Sequence, residues 1–170
     1  IAVCMAQAGM YVSADELAVG PFSRLFTRIW NNDDINRGLS TFKVEAVELN
    51  QILRNGDSMT LVLGDELCSG TERVSATAII AAGIEELHDK RCRFVFATHQ
   101  HDVADLVSEP EISVKHLSVT TDAGGDLVYE RKLRDGVGAR TYGVTVCRAL
   151  GMPARFLERA ARIARRMQGF

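Results

Sequence analysis

Two acidic residues, Asp65 and Glu66, directly follow the apolar run Met59-Thr60-Leu61-Val62-Leu63-Gly64. A second apolar run, RFVFAT at 93–98, is followed in the same way by His99. Paired carboxylates at the end of a greasy strand suit a magnesium nucleotide. The first, Asp65, offers an oxygen ligand to a hard cation or its waters. The second, Glu66, can polarise the water that attacks a terminal phosphate. His99 stands where it can sense or bond that phosphate. The plain alternative makes Asp65 a helix cap and Glu66 a solvated end. The buried strand before the pair, and the turn Cys68-Ser69-Gly70-Thr71 after it, favour chemistry over capping.

Two further groups carry weaker signals. Ser40 and Thr41 follow a polar loop and open a helix. There a hydroxyl caps free backbone N–H groups, or the same groups receive an anion, and the residues alone leave both open. His99 and His101 also form a His-x-His pair, with Asp102 as a third ligand for zinc.

The elements that must position these residues can be read from periodicity. Met59–Gly64 has the length and unbroken apolar character of a parallel strand buried on both faces. Glu72 to about His88 reads as a helix with Ala76, Ile80, Ile84 and Leu87 on one face. Residues 93–98 form a second buried strand, which makes a strand–helix–strand unit. Ligands of open α/β sheets bind at the carboxyl ends of the strands, where Asp65, Glu66 and His99 lie. Upstream, Ile1–Ala6 resembles the middle of a buried helix. Tyr11–Trp30 reads as two strands around Pro21, Asn31–Gly38 as a loop, and Ser40 to about Arg54 as a helix carrying Phe42, Ala46, Leu49 and Leu53. Downstream, Ile112–Leu133 is expected to form a hairpin turning at Asp122–Gly125. Two helices, punctuated by Gly151 and Pro153, end the chain. The last sets Arg155, Arg159, Arg162 and Arg166 on one side and Phe156, Ala160, Ile163 and Met167 on another. This pattern is that of a helix packing its apolar face and extending its arginines to water.

The 170 residues are 46% hydrophobic and 25% charged, as in a soluble globular domain. The net charge of −2 argues against a strong binder of nucleic-acid backbone. Cys4, Cys68, Cys92 and Cys147 lack CxxC spacing and read as reduced thiols of an intracellular protein. No apolar run reaches the roughly 18 residues of a membrane span, and no signal peptide is expected. The chain opens on Ile1, and it is expected to be part of a longer protein.

The ordered segments MAQAGMYVSA (5–14), STF (40–42), LVLGDELCSGTE (61–72) and FATH (96–99) resemble the ATPase domain of the MutS family of DNA mismatch-repair proteins. The later TYG (141–143), with its proline-started helix, resembles that family's C-terminal helical region. The likeness covers nearly the whole chain, and Gly70-Thr71-Glu72 resembles the branch found in giant viruses and octocoral mitochondria. The resemblance implies a P-loop NTPase fold of the ATP-binding-cassette type, an α/β architecture with a C-terminal helical extension. It further implies an ATPase core over 1–135 and a helical dimerisation region over 136–170. Asp65 would be the Walker B magnesium residue, Glu66 the catalytic carboxylate and His99 the switch histidine. Ser40 and Thr41 would belong to the signature helix that completes the partner subunit's site, with ATP and Mg²⁺ as cofactors. Cys68–Thr71 would face the partner, and Gln7 falls near the family's Q-loop. Mismatched double-stranded DNA would be bound by domains outside this chain.

Three departures accompany the likeness. Ser13 replaces a common proline, Glu72 adds a charge beside the partner-facing loop, and no G-x-x-x-x-G-K-[ST] phosphate loop is present. Other readings are a chromosome-maintenance ATPase or transporter subunit, which would carry an LSGG-type signature where this chain has GLSTF, and a non-catalytic dimerisation module. Without the lysine and amides of a phosphate loop, the isolated chain is expected not to hydrolyse ATP. Robust phosphate release by the purified 170-residue chain would overturn that expectation.

Overall fold

The computed structural model describes residues 1–28, 41–68, 70–107, 109–122, 127–138 and 142–168. Its elements run α1 (Ala2–Gln7), β1 (Arg24–Arg28), α2 (Thr41–Asn55), β2 (Thr60–Asp65), α3 (Arg73–Asp89), β3 (Arg93–Ala97), α4 (Asp102–Leu106), β4 (Lys115–Thr121), β5 (Leu127–Asp135), α5 (Tyr142–Ala149) and α6 (Ala154–Gln168). They form two compact units, Ile1–Val107 and Ser108–Phe170. This is a mixed α/β architecture. The β4–β5 hairpin, α5 and α6 make up the second unit.

In the first unit the strands are parallel and ordered β1-β2-β3. β2 is hydrogen-bonded on both edges, with Gly64 opposite Arg28 on one side and Phe96 on the other. A strand so placed has little contact with water, which is why Thr60, Leu61, Val62 and Gly64 are all buried. The core gathers Val62, Ile52 of α2, Leu87 of α3 and Cys92, with Phe26, Leu53, Phe94 and Phe96 packed against it. On α3 the predicted face of Ala76, Ile80, Ile84 and Leu87 is buried. The strand–helix–strand unit therefore forms as its periodicity dictates. Asp57 starts β2 by accepting from the Met59 N–H (2.9 Å) and the Thr60 hydroxyl (2.8 Å).

Several expectations are corrected. β3 is not buried on both faces, because Phe94 and Phe96 turn to the core and Val95 stays 64% exposed on the other side. Among the described residues of the predicted strand pair, only Arg24–Arg28 is a strand. Residues 11–20 are almost all exposed, so no packing favours extension there, and Trp30 lies outside the described residues. Helix α1 forms but buries none of its residues. On α2 the buried positions are Glu45, Leu49 and Ile52, while Ala46 faces water. The loop expected at 31–38 and most of the hairpin turn lie outside the described residues.

In the second unit, β4 and β5 pair antiparallel, with an irregularity between Leu117 and Val119. Gly151, at φ +71°, lets the chain reverse between α5 and α6, and the Pro153 carbonyl accepts from Phe156 and Leu157 to start α6. The predicted apolar face of α6 is not the covered one. Leu157, Ala160, Ala161 and Ala164 are half-buried, whereas Phe156, Ile163 and Met167 remain exposed. Leu157 and Ala161 line a groove with Arg148 of α5, which is too short to cover more of its neighbour. The four arginines of the basic stripe are exposed, as expected. No helix among the described residues is long and apolar enough to cross a membrane.

Two tests follow from this packing. A Cβ on Gly64 would sit 2.3 Å from the Phe96 ring. Gly64→Ala should therefore destabilise the chain by about 1–3 kcal/mol, the usual cost of overpacking, measured by urea denaturation. The second concerns Glu72, which caps α3 by accepting from Val74 N (2.8 Å) and Ser75 N (3.0 Å). Hydrogen bonds from Ser75, then Val74, hold its carboxyl below the ordinary glutamate value. A depressed carboxyl contributes stability above its unfolded pKa and loses it as pH falls through the folded value. Glu72→Ala should thus lower Tm at pH 7, and the gap from the parent should close in melts at about pH 3, below the glutamate range.

Candidate functional site

Parallel pairing brings the carboxyl ends of β2 and β3 together, with Asp65 opposite Ala97. One residue on, the Glu66 N–H donates to the Ala97 carbonyl at 2.9 Å. The chain then leaves the sheet sharply. Glu66 and Cys68 have φ values of +48° and +61°, in the left-handed region that non-glycine residues rarely occupy. Such strain persists only where surrounding structure enforces it. Here the buried side chains of Leu67 and Cys68 anchor the turn from inside. Burial, and then the nearby Glu45 charge, push the Cys68 thiol up to about 11. It remains protonated, an anchor rather than a nucleophile.

With the interior side of the turn fixed, the Glu66 carboxylate faces outward and meets His99. The His99 Nε2 to Glu66 Oε1 distance is 2.7 Å, with the histidine 90% and the glutamate 47% exposed. Asp65 is also exposed, at the last position of β2. The structure thus gathers Asp65, Glu66 and His99 at one edge of the sheet. The arrangement offers two carboxylates and an imidazole, open to a ligand from solvent.

The segment carrying His99 is tied to α3. Buried Thr77 hydrogen-bonds Gln100, the Gln100 N–H donates to the Thr98 hydroxyl at 3.1 Å, and Arg73 pairs with Asp102. Asp102 is therefore engaged by an arginine. Among the described residues no group of three or more His, Cys, Asp or Glu is placed to hold a metal ion, so the His99–His101 zinc reading is not supported.

The other predicted residues fare differently. Ser40 lies outside the described residues. Thr41 is the first residue of α2. The amide side chain of Gln7 accepts from Phe22 N–H (2.8 Å) and donates to the Phe22 carbonyl (3.1 Å), pinning α1 to the segment before β1. Glu72 turns its charge onto the start of α3, where the helix dipole favours it.

One feature was missed. Arg28, at the end of β1, lies 3.1 Å from Glu48 and 3.6 Å from Glu45, both on α2. Glu45 shares the helical spacing of Leu49 and Ile52. A carboxylate on that apolar stripe signals a buried partner, and Arg28 on the neighbouring strand supplies it.

The MutS domain V family model matches residues 1–168. The chain is 46% identical to the mitochondrial DNA mismatch repair protein mutS homolog of Sarcophyton glaucum, over 85% of this chain and 15% of that protein. It is 38% identical to a putative DNA mismatch repair protein mutS homolog of Acanthamoeba polyphaga mimivirus, over 98% of this chain and 16% of that protein. A DNA mismatch repair protein MutS from an Anaeromyxobacter species is 40% identical over 96% of this chain and 19% of its own length. The chain thus spans less than a fifth of the length of these curated relatives. A whole-chain match to domain V, joined to relatives carrying one name, settles the classification: the chain belongs to the MutS family of DNA mismatch-repair proteins.

Proposed function

We propose that this chain is the downstream part of a mismatch-repair ATPase, contributing Asp65, Glu66 and His99 to a composite site between two subunits. The observation that carries this reading is the 2.7 Å contact between Glu66 and His99 at the carboxyl end of the sheet, beside Asp65. The parallel β1-β2-β3 sheet is read as part of a P-loop NTPase fold of the ATP-binding-cassette type. The oxygen donors fit magnesium, which takes one or two carboxylates and keeps waters and phosphate oxygens as its other ligands. Asp65 would hold Mg²⁺, with Glu66 adjoining it, and the metal would neutralise charge on the ATP phosphates.

The side chains divide the remaining work. Glu66 polarises the attacking water and takes its proton. His99 donates to the Glu66 carboxylate, orients it, and would report the state of a terminal phosphate bound beside it. Ser40 and Thr41 serve the partner subunit's nucleotide. The helical region 136–170 supports dimerisation, and mismatched DNA is bound by domains outside this chain.

In a full-length protein carrying this chain, Glu66→Ala should leave ATP binding intact. It should slow steady-state hydrolysis by about 100-fold or more, the usual contribution of a general base. A fluorescent-nucleotide titration beside a phosphate-release assay separates the two effects. Unchanged hydrolysis would remove Glu66 from the role given to it.

A further inference from the structure

Arg28 and Glu45 face each other inside the first unit, their side chains 9% and 1% exposed, while Glu48 closes the cluster from its rim at 42%. Withdrawing such charges from water is costly, and an apolar pair of similar volume would often give equal or greater stability. What an ion pair adds is direction. A guanidinium fork admits few orientations of its carboxylates, whereas apolar contacts alone let a helix slide along a sheet. The cluster's place in the fold is specific. Arg28 is paired in register with Gly64, the residue before Asp65. Glu45 lies one turn into α2 and also acts electrostatically on Cys68, just beyond Glu66. The cluster therefore spans the gap between α2 and the strand ends that carry the acidic pair.

We propose that Arg28, Glu45 and Glu48 are positioning residues that hold α2 at a fixed height against β1, so that its first turn completes the nucleotide site of the partner subunit. This rests on the composite-site reading above. It goes beyond that reading by assigning the cluster's effect to the opposite subunit's site. Each site uses Glu66 of its own subunit and α2 of the other, so the two residues should complement in a predictable way.

The test places Arg28→Met and Glu66→Ala in full-length protein, on opposite subunits or on the same subunit of a mixed dimer isolated with two affinity tags. On opposite subunits, one site keeps both an intact Glu66 and an intact partner α2. That dimer should retain about half of wild-type turnover, because the losses coincide on the other site. On the same subunit, the two substitutions disable both sites, and turnover should fall about tenfold or more below the opposite-subunit dimer. Nucleotide affinity should stay within about twofold of wild type in both arrangements, as expected for a loss felt only in turnover. The reverse ranking would place the effect in the subunit's own site and overturn the proposal. Equal losses in both arrangements would mark the cluster as merely structural and also overturn it. If Arg28→Met fails to fold, Glu45→Gln, which preserves side-chain volume, takes its place in the same two arrangements. A Glu66→Ala homodimer with normal turnover would instead overturn the composite-site reading, and this proposal with it.

Discussion

The first unit depends on the pairing of β2 along both of its edges. A central parallel strand exchanges hydrogen bonds with two neighbours and is shielded from water. Its sequence is therefore largely apolar up to Gly64, and its register is fixed on both sides at once. In this chain Gly64 is locked between Arg28 and Phe96. Asp65 is the first position at which a charged side chain can reach solvent. The acidic pair stands where it does because the buried strand ends there.

That constraint propagates into the site. Parallel strands put their carboxyl ends on one edge, so residues far apart in sequence emerge as neighbours. Glu66 bonds the Ala97 carbonyl, and its side chain meets His99 two residues further along. The left-handed turn at Glu66 and Cys68 is held by burial of Leu67 and Cys68 below it. The segment bearing His99 is held by Thr77 and Arg73 of α3. The exposed groups are few and the groups restraining them are buried or paired. This is the organisation expected of side chains whose geometry matters more than their contribution to stability.

Much of this was legible in the residues. The run before Asp65 and the small-residue face of α3 carry periodicities that the structure follows, and the residues before His99 form a strand. Legibility failed where burial depends on a neighbour that periodicity does not name. β3 has the composition of a doubly buried strand, yet Val95 faces away from the core. Residues 11–20 have enough apolar character to extend, but among the described residues no strand pairs with them. On α6 the amphipathic pattern permits more than one packing face, and the short α5 selects Leu157 and Ala161 over Phe156 and Ile163. The charge that Glu72 adds beside the turn is taken up by the N–H groups at the start of α3.

The sequence by itself determined the chemistry on offer: two carboxylates after one buried strand and an imidazole after the next. It also determined the family, because four motifs in order constrain residues that local physics leaves free. Only the tertiary structure decided that Glu66 and His99 touch, since that contact requires the register of two parallel strands and a strained turn. Only the tertiary structure showed that Glu45 is not a surface charge but the buried partner of Arg28. A helical stripe records how often a position turns inward, whereas a strand paired elsewhere in the chain decides what it meets there.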